Sequence, residues 1–213
     1  MLVLAIDAAS PMPAVALAAG QDVTEEALPL DRRASENLLP AVARVLRRCG
    51  RVLSDCERLA VCAGPGSFTG LRVGIASAWA LARALSRPLE SVSTLEAMAE
   101  AARAEGVVAV LAALDAGRGD ASVALFDVTG ARAVPLGAPS LQPLWQVRAA
   151  APEALLVALP AGLVPGAINP AASPARALAL AVARAPRREA ETLSPIYARM
   201  SAAEEKKRGA APA

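Results

Sequence analysis

Apolar and polar positions follow one another along this chain in blocks with distinct periods. Residues 2–6, LVLAI, form an unbroken apolar run closed by Asp7, the pattern of a strand buried on both faces. Residues 14–18, AVALA, repeat it after the turn SPMP, and Gly20 sends the chain toward a third strand within residues 21–30. The period then lengthens. In SENLLPAVARVLRRCG, Leu38, Leu39, Val42, Val45 and Leu46 share one helical face, and Gly50 closes the helix. Ser35 and Asn37 are both N-cap candidates. A cap at Asn37 puts Pro40 in the first turn at no cost, whereas a cap at Ser35 loses one backbone bond.

RLAVC at 58–62 predicts a strand that runs into the glycine-rich loop AGPGSFTG and a second helix. SVSTL reads as strand and turn, and LEAMAEAARAEG as a third helix with Gly106 as its C-cap. There the pattern restarts. VVAVLAALDAG is strand-like and reaches Asp115 much as the first strand reaches Asp7. ASVALFDVTG and a weaker segment near Val134 follow as strands, LQPLWQVRAA as a helix, EALLVAL as a strand and SPARALALAVARAP as a helix. Both halves therefore read strand, strand, strand, helix, strand, helix, which predicts a duplicated α/β domain.

Composition narrows the classes. The chain has 213 residues, and its apolar fraction of 55% reflects alanine more than membrane spans. The longest helix-like apolar run lies between Arg72 and Arg83, shorter than the roughly 20 residues a span needs. No basic segment precedes the first apolar run, so a cytoplasmic protein without a signal peptide or membrane contact is expected. A net charge of +2 and 2% aromatic residues argue against independent RNA binding. The three cysteines lack Cys-x-x-Cys spacing, and histidine is absent, which removes the commonest general base and metal ligand. No catalytic residue and no metal set is assigned.

The loop has no lysine for a Walker motif. Gly64, Gly66 and Gly70 are spaced one residue too far for a dinucleotide fingerprint, and Ser67 has no histidine to activate it. Two readings stay open. Gly64, Gly66, Ser67 and Thr69 could present amides to an anion at the start of the helix. Alternatively the glycines supply positive φ, with Ser67 or Thr69 as the helix cap. Asp7 and Asp115, at strand ends, could hold a magnesium water or a sugar hydroxyl, or bond their own turns. Gly70, Gly74, Ala78 and Ala82 recur every four residues as a smooth stripe, on which another helix, a sheet or a second chain could lie.

IDAAS at 6–10, RASENLLP at 33–40, AGPGSFTGLRVGIASAWALA at 63–82 and SPIYAR at 194–199 resemble the TsaB family, also called YeaZ. The resemblance implies an α/β, actin-like and Hsp70-like ATPase (ASKHA) fold of two duplicated βββαβα halves. These would be residues 1–105, a shortened 106–200, and a frayed tail at 201–213. It implies a non-catalytic activating subunit that pairs with TsaD in making N6-threonylcarbamoyladenosine at position 37 of tRNAs reading codons that start with A. TsaE would be the associated ATPase, and tRNA would be met only through the complex. No intrinsic cofactor is implied, and ATP or ADP would act at the level of the complex. The first two helices would form the interface with TsaD, or with a second copy in isolation: Leu38, Leu39, Val42 and Leu46 with Gly70, Leu71, Gly74, Ile75 and Ala78. The sequence departs from the family at Ala34, where histidine is common, and at residues 115–122. The alternatives are an ASKHA phosphotransferase or ATPase using Asp7 or Asp115, and a peptidase using Ser67.

Overall fold

The computed structural model describes residues 1–30, 34–186 and 194–198. The first half is built on β1 (Leu2–Asp7), β2 (Ala14–Ala19), β3 (Asp22–Ala27), β4 (Arg58–Cys62) and β5 (Leu89–Val92), in sheet order β3-β2-β1-β4-β5. The second half uses β6 (Ala109–Gly117), β7 (Asp120–Asp127), β8 (Val134–Pro135), β9 (Ser140–Pro143) and β10 (Leu155–Leu159), ordered β10-β6-β7-β8 with β9 also on β7. In each half the first strand pairs antiparallel with the second and parallel with the strand after the helix, β1 with β4 and β6 with β10. The duplication expected of the actin-like fold is present in the pairing itself. β5 extends the first sheet beyond this shared pattern.

Helices α1 (Ala34–Arg48) and α2 (Phe68–Leu85) cover one face of the first sheet, where Leu38, Val42, Val45 and Ala78 pack on Leu4, Ile6 and Val61. The other face carries α5 (Pro174–Arg184), with Leu178 and Val182 on Val3, Ala5 and Ala16. Beside it lies α3 (Thr94–Ala101), which buries Leu95 and Met98 against Val110, Leu114 and Phe126 of the second sheet. The outer face of that sheet packs on Val147 of the short α4 (Val147–Ala150) and on Val164. The strands divide between the two halves, but the helices exchange: α3 precedes residue 106 and covers the second sheet, whereas α5 follows it and covers the first. The tail expected to fray, 201–213, lies outside the described residues.

Three local expectations are corrected. The helix α1 already includes Ala34, so neither Ser35 nor Asn37 is its cap and Pro40 lies inside it. Pro40 has no amide hydrogen to donate in the helix, a loss offset by the apolar face of α1 on the sheet. The third helix ends at Ala101, five residues before Gly106, which serves a later turn at φ +79°. LQPLWQVRAA is mostly not α-helix. Its first residues belong to β9, Leu144–Gln146 form a 3-10 turn, and only Val147–Ala150 are α-helical. Pro143 disfavours the helical region for Gln142, which pairs instead with Ala121.

Candidate functional site

The glycine loop joins β4 to α2 and lies against the turn that follows β1. A Cβ at Gly66 would come 2.6 Å from the Ala9 carbonyl oxygen, and one at Gly70 would come 2.0 Å from that of Ala8. Glycine is required at both positions because backbone passes where a side chain would start. Gly64, at φ +111°, takes a conformation that L side chains rarely adopt, and its missing Cβ leaves room for the Ile196 carbonyl. Several of the loop's polar groups are taken up within the chain. The Ser67 amide donates to Ala9 O at 2.9 Å and the Gly70 amide to Ser67 Oγ at 3.3 Å. Gly64 O accepts from Thr94 N at 2.7 Å, and Ala63 O from Ile196 N at 2.7 Å. Ser67 is thus the cap of α2, and Thr69 is exposed. On the side where their Cβ atoms would stand, Gly66 and Gly70 are packed against residues 8 and 9.

Asp7 and Asp115 occupy different environments. Asp7 is fully buried; its Oδ1 accepts from the amides of Ala9 (3.0 Å) and Ser10 (3.1 Å), while Oδ2 has no partner. Burial raises its pKa above the ordinary carboxylate value, against the opposing pull of the Ser10 hydroxyl and the two amides. Asp115 is exposed and accepts from Gly117 N at 2.8 Å, as an Asx turn does. Among the described residues, no group of three His, Cys, Asp or Glu side chains could hold a metal ion. Cys56 is pushed up to about 11 and Cys62 well above the ordinary thiol value, both chiefly by burial, so neither is an activated thiol.

The interface expected from α1 and α2 needs correction in most of its residues. Leu38, Val42 and Leu46 lie in the core, as do Gly70, Leu71, Gly74 and Ala78. The stripe of small residues faces the chain's own β1 end: a Cβ at Gly74 would sit 3.3 Å from that of Ala8. The apolar faces of both helices lie on the first sheet, so of the nine residues expected in the interface only Leu39, half exposed on α1, and the partly exposed Ile75 are accessible.

A different strip of α2 faces outward. Phe68, Arg72, Ile75, Ala76 and Trp79 follow one another at near-helical spacing, and Trp79 is 51% exposed. The Arg72 guanidinium lies 4.0 Å over the Phe68 ring, and Tyr197 stacks on the same ring at 5.1 Å. Arg72, Ile75, Ala76, Trp79 and Pro195 enclose a shallow groove of about 350 Å³. Of this strip the sequence pattern of smooth packing points only to Ile75, although another signal is present: in a chain with two Trp and two Phe, one of each lies on the same helix, either side of Arg72.

The model of the family described as TsaD, tRNA N6-adenosine threonylcarbamoyltransferase, matches residues 29–144. The Escherichia coli (strain K12) tRNA threonylcarbamoyladenosine biosynthesis protein TsaB is 41% identical over 121 residues, 56% of this chain and 52% of its own length. The protein of that name in Bacillus subtilis (strain 168) is 34% identical over 128 residues, 59% of this chain and 55% of its own. The chain spans about half the length of these relatives. Two solved Pseudomonas aeruginosa structures, an uncharacterized protein with similarity to peptidase YEAZ and YeaZ itself, superpose with TM-scores of 0.74 and 0.72 at 28% identity. They cover 93% and 92% of this chain and 99% of theirs. With the fold in agreement and the family model matching more than half of its length, the chain belongs to the TsaD family, tRNA N6-adenosine threonylcarbamoyltransferase, beside the TsaB and YeaZ proteins.

Proposed function

We propose that this chain is a non-catalytic, activating subunit of tRNA N6-threonylcarbamoyladenosine synthesis that docks on a TsaD-type partner through the outer strip of α2. The observation that carries the proposal is the outward row of exposed Arg72 and Trp79 with the partly exposed Phe68 and Ile75, and with Tyr197 stacked at its start. Aromatic and arginine side chains around a groove are what hot spots of protein interfaces are made from. The names of the relatives place them in threonylcarbamoyladenosine biosynthesis, which supports the same pathway here. In this reading the partner performs the transfer to adenosine 37, tRNA is met through the complex in the cytoplasm, and TsaE and ATP or ADP act on the assembly. The chain alone pairs with a second copy through the same strip.

The test is co-purification with the TsaD-type protein of the same genome, followed by a tRNA modification assay with each component omitted in turn. Trp79→Ala combined with Arg72→Glu is expected to weaken association by at least about tenfold with an unchanged melting temperature. Normal affinity in that variant would overturn the docking surface. The phosphotransferase alternative is not favoured. It would displace this reading if the isolated chain hydrolysed ATP and Asp7→Asn abolished the hydrolysis.

A further inference from the structure

The stretch 194–198 returns to the first half and lies against the glycine loop. Ile196 N donates to Ala63 O at 2.7 Å, and the Ile196 carbonyl occupies the space that a Cβ at Gly64 would take. Gly64 is held in turn through its own carbonyl, which accepts from Thr94 N at 2.7 Å, so the seat of the stretch is tied to the start of α3. These backbone contacts at Ile196 fix where its two neighbours, Pro195 and Tyr197, stand.

Both neighbours reach α2. Tyr197 stacks on Phe68 with its plane inclined by 28°, and Pro195 joins Arg72, Ile75, Ala76 and Trp79 in walling the groove. The Arg72 guanidinium rests on that same Phe68 ring at 4.0 Å, so Tyr197 and Arg72 are linked through one side chain. A free arginine explores many rotamers, and holding it on a ring that is itself held reduces the ordering a partner must impose. Ile196 and Tyr197 stay 40% and 37% exposed, so the stretch spreads over the surface and extends the outward row of α2.

We propose that residues 195–197 are a strap that completes the docking surface of α2, with Tyr197 as a positioning residue: its ring holds Phe68, and Phe68 holds Arg72 at the groove where a TsaD-type partner docks. This role rests on the docking reading given above. Pro195 is part of the groove wall, so the partner touches the strap as well as the helix.

The chain has a single tyrosine, so fluorotyrosine labels the strap at one site for fluorine NMR. In the isolated full chain its resonance should stand away from the urea-unfolded position and move back towards it in Phe68→Leu; a resonance at the unfolded position in the folded chain would overturn the strap. Affinity for the TsaD-type protein of the same genome is then measured by calorimetry. Tyr197→Ala is expected to weaken binding about three- to tenfold, the range for losing one aromatic stack, and Tyr197→Phe to stay within about twofold of wild type. Ile196→Pro, which removes the donor to Ala63, should weaken binding although Tyr197 is still present. In an Arg72→Ala background Tyr197→Ala should have little further effect, because the residue it positions is gone. A loss that adds in full would make Tyr197 a separate contact and end the positioning role. If Trp79→Ala weakens binding and Tyr197→Ala does not, the strap fails alone; if neither does, the docking surface fails with it.

Discussion

Asp7, which the sequence offers either as a ligand-holding group or as a turn residue, bonds its own turn in the fold. It ends a buried strand, and its Oδ1 holds the amides of Ala9 and Ser10 in the turn on which the glycine loop rests. Its other oxygen is buried without a partner, and burial raises its pKa. The folded chain therefore binds a proton here more tightly than the unfolded chain does, and stability falls as pH rises from the ordinary carboxylate value through the folded one. Thermal unfolding followed from about pH 4.5 to 8 should show this decline, and Asp7→Asn should flatten it. Equal slopes in the two proteins would mean that Asp7 carries no such linkage. Glu26 is shifted the other way, chiefly by the Arg44 hydrogen bond, and loses its contribution at lower pH, below this range.

Helix α2 has two faces with opposite duties. Its inner stripe of Gly70, Gly74, Ala78 and Ala82 lets the helix lie close over the end of β1, and its outer row carries Arg72 and Trp79 into solvent. The two glycines are not equivalent. A Cβ at residue 70 would meet the Ala8 carbonyl at 2.0 Å, backbone that cannot swing away, so Gly70→Ala should destabilise by about 1–3 kcal/mol or more. At residue 74 the nearest atom is the Ala8 methyl at 3.3 Å, and the gain in helix propensity of about 1 kcal/mol offsets the crowding. Gly74→Ala should therefore lie within about 1 kcal/mol of wild type, as chemical denaturation would measure. A leucine at residue 74 would break the packing on β1, so that change tests the fold and leaves the docking surface untested.

The two halves are joined by exchange of helices and by buried charge. α3 leaves the first half to cover the second sheet, α5 returns to cover the first, and the two helices lie side by side between the sheets. Around them Arg58 reaches the carbonyls of Val182 and Ala185 at 2.9 and 3.1 Å while pairing with Glu90, and Arg132 enters from the second half to the same carboxylate. Glu100 similarly receives Arg103 and Arg184. Removing one member leaves its partners buried without compensation. Glu90→Ala should cost about 3–5 kcal/mol, and denaturant unfolding should show whether the halves still melt together. A change below about 1 kcal/mol would mean that the cluster contributes little to joining them.

Local pattern carried most of the element list, because a buried strand and an amphipathic helix leave their periods in the order of residues. The apolar runs at β1, β4, β6 and β10, the aspartates ending β1 and in β6, and Ser67 as one of two cap candidates were legible there, and so was the duplication. Boundaries were less legible where packing overrode local preference, as at Pro40, or where a residue's own chemistry was weak, as in β9. Periodicity says that a stripe is smooth or apolar without saying what lies on it. For α1 and α2 the answer was the chain's own first sheet and the Ala8–Ala9 turn, which moved Leu38, Val42, Gly70 and Gly74 from an expected interface into the core. The outward row of α2, the exchange of α3 and α5, and the meeting of Glu90 with Arg58 and Arg132 join residues far apart along the chain. Such contacts arise only once the sheets have paired and leave no period for a sequence to display.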